Sequence, residues 1–261
     1  MKPKLSIIIP AYNEEKRIGK TLKSYSIYFN RLVKKKELDY EILVIINNTT
    51  DNTEDIVKKI AQKNKKIKYL NIKPGGKGFA VIQGFKNALK RNNNLIGFVD
   101  ADESTPPQAF HYLIKTIKNN SGVIASRYHK KSVINPKQNL KRIISSRIFN
   151  ILIRSLLFLP YKDTQCGAKL FTSKSIKSVL PKLTMSQWAF DVDLLYNLKK
   201  LKFRIIEVPT IWADKTDSKI NFFTVGPFMA LGVIRLRILN SPFKFLIRFY
   251  DKLNQIIKNK E

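Results

Sequence analysis

A single cysteine, Cys166, stands in 261 residues, which excludes an internal disulfide and any zinc site built on several thiolates. Histidine is nearly as scarce: His111 and His129 are far apart and read as surface residues rather than metal ligands. No window reaches the roughly 18 to 20 uninterrupted apolar residues that a spanning helix needs. The longest candidate, 222–234, stops at Arg235. The opening Met-Lys-Pro-Lys-Leu-Ser-Ile-Ile-Ile is too short an apolar run for a signal-peptide core, so it reads as a first strand in a protein located in, or facing, the cytosol. Acid is the other deficit. Nineteen Asp and Glu face 49 Lys and Arg, a net charge of +30 that would draw the chain to nucleic acid or to anionic lipid, although a Lys- and Asn-rich composition accounts for part of it.

The chain is rich enough in apolar residues, at 44%, to fold rather than remain disordered, and its length suits one large α/β domain with a short appendage. Short β-branched runs alternate with helical patterns, the signature of βα units building a mostly parallel sheet. Strands are expected over 5–9, 41–46, 67–72, 95–99, 122–126 and 204–208. Helices are expected over 14–36, where Ile18, Leu22, Tyr25 and Phe29 recur at spacings of three and four, and over 51–64, 78–91, a segment after Pro107, 140–158 and 190–201. The basic stretch 127–147 reads at first as a mobile loop. Residues 143–159 and 222–250 interleave bulky apolar residues with Arg, as interfacial helices do, while packing on the core competes for the first of them. The division expected is a domain over 1–220 and a basic amphipathic membrane-interface region over 221–261.

Ligands of open α/β sheets gather beyond the carboxyl ends of the strands. Phe98-Val-Asp-Ala-Asp102 delivers two carboxylates to such an end, and a pair of this kind can hold a hard cation that bridges diphosphate oxygens. Standing alone, the pair would also serve as a turn or helix cap. Lys73-Pro-Gly-Gly-Lys-Gly78 runs into a helix, offering free amides, close backbone approach and the charge of Lys77 to a phosphorylated ligand. Its spacing fits neither a P-loop nor a dinucleotide fingerprint. Cys166 reads as a small packed residue rather than a nucleophile.

Taken in order, Pro10-Ala-Tyr-Asn-Glu-Glu15, Gly75-Gly-Lys-Gly78 with Gly84, Asp100-Ala-Asp102 with Pro106-Pro107, Ser126-Arg-Tyr128, Asp163-Thr-Gln-Cys-Gly167 with Lys169-Leu-Phe171, and Phe190-Asp-Val-Asp193 resemble the inverting family-2 glycosyltransferases. Among these the chain is most similar to the dolichyl- or polyprenyl-phosphate mannose and glucose synthases. The resemblance implies a GT-A fold with a mostly parallel central sheet, an Mg2+ or Mn2+ ion, a GDP- or UDP-linked hexose as donor, and a polyprenyl phosphate as acceptor at the cytoplasmic face of a membrane, with peripheral attachment. It places Pro10, Tyr12 and Glu14 at the base and ribose. Asn47, Lys77, Gly78 and Ala101 fall near the nucleotide, and Asp100 and Asp102 on metal and phosphates. Arg127, Gln165 and Lys219 fall at the acceptor phosphate, with Asp191 positioning the acceptor or acting as base. Two positions depart from the pattern. Ser104 stands where the mannose synthases often carry Gln, and Asn47-Asn48 where two acidic residues are usual, which loosens the identity of the donor base. Other readings are a transferase acting on a sugar hydroxyl, a nucleotidyltransferase, an inactive binding relative, and a nucleic-acid-binding protein; the carboxylates placed along the motifs argue against the last.

Overall fold

The computed structural model describes residues 2–136, 140–184, 189–214 and 222–247. Its elements run β1 (Lys4–Ala11), α1 (Ile18–Lys34), β2 (Asp39–Asn47), α2 (Thr53–Lys63), β3 (Ile67–Ile72), α3 (Lys77–Lys90), β4 (Leu95–Phe98), α4 (Pro107–Ile117), β5 (Gly122–Ser126), β6 (Val133–Ile134), α5 (Leu140–Leu157), β7 (Lys169–Thr172), α6 (Ser173–Val179), α7 (Phe190–Lys200), β8 (Ile205–Pro209), β9 (Ile211–Trp212) and α8 (Phe222–Leu239). Seven strands form one sheet in the order β3-β2-β1-β4-β7-β5-β8. Every neighbouring pair is parallel except where β7 lies antiparallel between β4 and β5. A strand covered on both faces needs apolar residues without alternation. Leu5, Ile7, Ile8 and Ile9 of β1 and Ile42 to Ile46 of β2 supply them, all at 1% exposure or less. Ile7, Ile9, Val44 and Ile46 face a core shared with α1, α2 and α4, whereas Ile8, Leu43 and Ile45 face one shared with α3 and α5 to α8.

The expected strands and helices are present with end shifts of a few residues. Three features differ. β7 and the short α6 are not among the expected elements; for β7, four residues carrying one Lys, Lys169-Leu-Phe-Thr172, give no strand period. The loop after β5 is anchored rather than free at its start: β6 pairs with β9, and Ser132 Oγ donates to the Ser126 carbonyl at 2.5 Å. His111, expected at the surface, is 5% exposed on the buried side of α4, with Nδ1 2.8 Å from the Tyr28 hydroxyl. Helix α8 sets Met229, Val233 and Leu236 into the second core beside α5 and α7. Among the described residues no helix is long and apolar enough to cross a membrane.

Candidate active site

Parallel order brings the carboxyl ends of β1, β2, β4 and β5 to one edge, and the motif residues follow those ends. Beyond β1, Asn13 takes a left-handed φ of 51°, which Asn tolerates, and its backbone N–H donates to Thr49 Oγ1 at 2.8 Å. The N–H groups of Glu14 and Glu15 donate to Thr53 Oγ1 and Asp51 Oδ2, tying the first motif to the turn after β2. Tyr12 is left half exposed at the mouth, and the Glu14 carboxylate is held by Arg17 through contacts of 2.7 and 2.8 Å. Asn47 is only 3% exposed. Its carboxamide donates to the Ala11 carbonyl at 2.8 Å and accepts from the Gly76 N–H at 3.2 Å. Asn47, placed near the nucleotide by the resemblance, therefore braces the glycine turn with both ends of its carboxamide.

Gly76, at φ 115°, turns the chain into α3 in a conformation that side chains avoid, so that Lys77 and Gly78 occupy the first turn with free amides. The α3 axis lies so close to β1 that a Cβ on Gly84 would stand 2.5 Å from Ile8 Cγ2.

Asp100 and Asp102 follow β4. Lys77 Nζ lies 2.6 Å from Asp100 Oδ1 and 3.9 Å from Asp191 Oδ2. Burial works against the charge on Asp100, yet Lys77, with Lys169 and Arg127 behind it, holds this carboxyl below its ordinary range. Asp102 moves the other way, raised by burial and then by the charge of Asp100, although the Ser104 amide donates to its Oδ1 at 2.9 Å. The Lys77 ammonium is itself held above its usual value: burial opposes it, and Asp100 and Asp191 prevail. The Ala101 side chain belongs to the core and its carbonyl accepts from Thr21 Oγ1 at 2.6 Å, so it shapes the turn. Gly167 lies flat against Asp100, since a Cβ there would fall 1.9 Å from Asp100 Oδ2.

Two residues that the sequence reading left without a role organise the far wall. Lys169, at 0% exposure in β7, points its ammonium at the Cys166 carbonyl and Asp191 Oδ1, both at 2.6 Å, with the Phe98 ring 5.3 Å away. Asp163, also at 0%, accepts from the backbone N–H, Nε and Nη2 of Arg127 at 2.8 to 2.9 Å and from the amides of Gln165 and Cys166. Lys169 shows in the sequence as a lone cation inside the apolar run Gly-Ala-Lys-Leu-Phe and as part of the family-like Lys169-Leu-Phe171, and neither signal gives its role. Arg127, expected on a lipid phosphate, is thus paired bidentately with Asp163 and flanked by the Tyr128 and Trp212 rings at 5.5 and 5.6 Å. Cys166 is buried and its thiol is pushed up to about 12, first by burial and then by Asp163, which leaves it protonated and inert at neutral pH. Lys219 lies outside the described residues.

A mostly parallel sheet, a glycine turn feeding a helix start, and a carboxylate pair at the edge of the central strand define a GT-A glycosyltransferase. The chain matches the family model described as Glycosyl transferase family 2 over residues 6–180 and belongs to that family. It is 34% identical over 253 residues to the dolichyl-phosphate beta-glucosyltransferase of Dictyostelium discoideum, covering 93% of this chain and 75% of that one. It is 30% identical to the enzyme of the same name from Homo sapiens, over 92% of this chain and 77% of the relative. Among solved structures, glucosyl-3-phosphoglycerate synthase from Mycobacterium tuberculosis, crystallised with Mn2+, UDP and phosphoglyceric acid, superposes with a TM-score of 0.65 at 18% identity, over 90% of this chain and 78% of that one. At that identity the likeness is one of fold.

Proposed function

We propose that the protein transfers glucose, with inversion, from UDP-glucose to a polyprenyl phosphate of the dolichyl type. The observation that carries this reading is the 34% identity, spread over 93% of the chain, to a dolichyl-phosphate beta-glucosyltransferase. Of the two donors that the sequence left open, GDP-mannose and UDP-glucose, that likeness favours the second.

The donor set suits Mg2+ or Mn2+. Asp100 and Asp102 offer hard oxygen ligands, and the Lys77 ammonium at 2.6 Å marks a position where positive charge is favoured. Among the described residues no cluster of three or more His, Cys, Asp or Glu forms a closed cage. Two carboxylates completed by substrate phosphates are a usual arrangement for such an ion. When bound, the metal would stabilise the negative charge of the departing diphosphate. The chain adds the amides of Lys77 and Gly78 at the start of α3 and the Lys77 ammonium on the same phosphates. Pro10, Tyr12 and Glu14 would line the uridine side, with Asn47 acting through the Gly76 turn.

A phosphate acceptor needs no general base, because the second ionisation of a phosphate monoester lies near pH 6. Asp191 agrees with that chemistry. One of its oxygens is taken by Lys169 and the other faces Lys77, so its geometry suits holding Lys77 in register rather than reaching a sugar hydroxyl. The polyprenyl tail places the reaction at a membrane, to which the protein would attach peripherally on the cytoplasmic face.

The test is transfer from radiolabelled UDP-glucose, GDP-mannose and UDP-N-acetylglucosamine to a short polyprenyl phosphate, with and without Mn2+. Lipid-linked product is expected from UDP-glucose, dependent on metal and reduced at least about a hundredfold in Asp102→Ala. Product from another donor alone, or on a sugar hydroxyl and not on the phosphate, would overturn the assignment.

A further inference from the structure

Helix α1 carries two buried hydroxyls that packing alone does not ask for. Thr21 and Tyr25 are both 0% exposed, among the buried Ile18, Leu22 and Phe29 of the same helix. Valine and phenylalanine would fill the same space. The Tyr25 ring stacks 6.0 Å from Phe29 and meets Phe110 edge-on at 6.2 Å, contacts that need no hydroxyl, and threonine is a weaker helix former than most residues. Each hydroxyl instead donates to a main-chain carbonyl 80 residues further along the chain: Thr21 Oγ1 to Ala101 at 2.6 Å, and Tyr25 Oη to Thr105 at 2.8 Å. The Thr21 hydroxyl has a second acceptor in the Arg17 carbonyl one turn back, at 3.2 Å, and the contact to Ala101 is the shorter.

Those two carbonyls bracket the carboxylate pair. Ala101 lies between Asp100 and Asp102, and Thr105 closes the turn that follows. The turn is tightly wound: Glu103 takes a φ of 58°, which side chains seldom adopt, and the Ser104 amide is spent on Asp102 Oδ1 at 2.9 Å. Backbone in such a conformation persists only where its surroundings hold it. Here the hold comes from outside the turn, through the two α1 hydroxyls and through the Ala213 amide, which donates to the Ser104 carbonyl at 2.9 Å. The other end of α1 is tied to the first motif. The Glu14 carbonyl accepts from the Arg17 and Ile18 N–H groups, both at 2.9 Å, and the Arg17 guanidinium grips the Glu14 carboxylate. Arg17, Thr21 and Tyr25 follow at intervals of four, along one side of the helix, over about 12 Å of its axis.

We infer that Thr21 and Tyr25 are positioning residues for the metal carboxylates: their hydroxyls fix the 100–105 turn against α1, and α1 sets that turn at a constant distance from the 10–15 motif. A nucleoside diphosphate has its base at one end and its metal-binding oxygens at the other, so the two parts of the protein that meet it must keep one separation. Asp100 and Asp102 face a shared ion only while the peptide between them keeps its orientation. With the Ala101 carbonyl unanchored, the turn would have to be ordered at the moment of binding, and that ordering is subtracted from the affinity. The inference rests on the metal donor set and the nucleotide-sugar donor proposed above, and on no particular acceptor.

The test is Mn2+ binding without turnover, read on the full chain by electron paramagnetic resonance of free Mn2+, in parallel series with saturating UDP and with saturating GDP. Thr21→Val should bind Mn2+ about tenfold more weakly than wild type, the size of one net hydrogen bond, and Tyr25→Phe should shift the affinity in the same direction. Thr21→Ser, which keeps the hydroxyl, should stay within about twofold of wild type. Nucleotide affinity in the absence of metal should not change in any of the three. In transfer from UDP-glucose, the Mn2+ concentration at half-maximal rate should rise in Thr21→Val, while KM for UDP-glucose at saturating Mn2+ holds. Hydroxyls that serve the fold alone would lower the urea midpoint and leave the Mn2+ affinity of the folded protein where it was, and that result overturns the inference. So does a Thr21→Ser variant as weak as Thr21→Val, because any change of packing would then suffice, and so does a wild type that binds no Mn2+ with either nucleotide. Weakened Mn2+ binding in variants of a protein that transfers no glucose to a polyprenyl phosphate would leave the positioning role standing and remove the proposed reaction.

Discussion

Lys169 shows how one residue can be structural in place and functional in effect. Its ammonium is fully buried, and it is tolerated only because Asp191 and the Cys166 carbonyl each stand 2.6 Å away. Removing one partner of a buried pair costs more than the pair contributes, because the other charge stays behind without its match. Here Asp191 would retain, among the described residues, Lys77 at 3.9 Å. Lys169→Met is therefore expected to lose about 3 kcal/mol in urea unfolding. Lys169→Met/Asp191→Leu should recover much of that stability while remaining inactive, since Lys77 loses a carboxylate that faces it. A single variant within about 0.5 kcal/mol of wild type would refute the argument, as that is the range of an ordinary surface change.

At the scale of elements, α3 packs directly on β1. A methyl group on Gly84 would meet Ile8 Cγ2 at 2.5 Å and its Cγ1 and Cδ1 at 2.9 Å, in the middle of a strand that is buried on both faces. Alanine is the better helix former by about 1 kcal/mol. Overpacking of a filled core costs about 1 to 3 kcal/mol, and with Ile8 enclosed the clash wins. Gly84→Ala should lower the urea midpoint, and Gly84→Ala/Ile8→Ala should be more stable than the sum of the two single losses, because each change relieves the other. Additive losses would mean that α3 simply moves away.

The same element explains what could be read in advance and what could not. The βα alternation and the ends of β3 and β5 were legible because long hydrophobic periods and strand-end motifs are local signals. Gly84, Lys77 and the Asp100 pair were legible because backbone permission and charge at a strand end are written residue by residue. β7 was not, because its place between β4 and β5 is decided by partners that lie 45 or more positions away along the chain. The roles of Asp163 and Lys169 were hidden for the same reason. Arg127 and Asp163 are 36 residues apart, and nothing local distinguishes an Arg that will meet a buried carboxylate from one that will meet a phosphate.

Over the whole molecule, the excess charge of +30 and the few buried acids pull stability in opposite directions. Like charges repel in the compact state, and salt shortens their reach from about 30 Å at 0.01 M to about 8 Å at 0.15 M. Acid adds to the repulsion and also discharges the carboxylates that folding has paired. Asp163 is the clearest of these. Burial raises its pKa, but Arg127 and the amides around it win, and its folded value lies below the ordinary 3.8. A depressed carboxylate gives its full stabilisation above the unfolded value and loses it as pH falls through the folded one. The thermal midpoint should thus rise with salt at neutral pH and fall steeply below about pH 4. Arg127→Met separates the two effects. With the guanidinium gone, burial is opposed only by the backbone amides and the more distant Lys169, the pKa of Asp163 moves up, and protonation relieves a buried charge instead of breaking a pair. The stability gap between Arg127→Met and wild type should therefore be wide at pH 7 and narrow as pH falls towards 3. Urea unfolding of both proteins across that range is the measurement, and a gap that stays constant would show that the Arg127–Asp163 pair does not govern the acid limb.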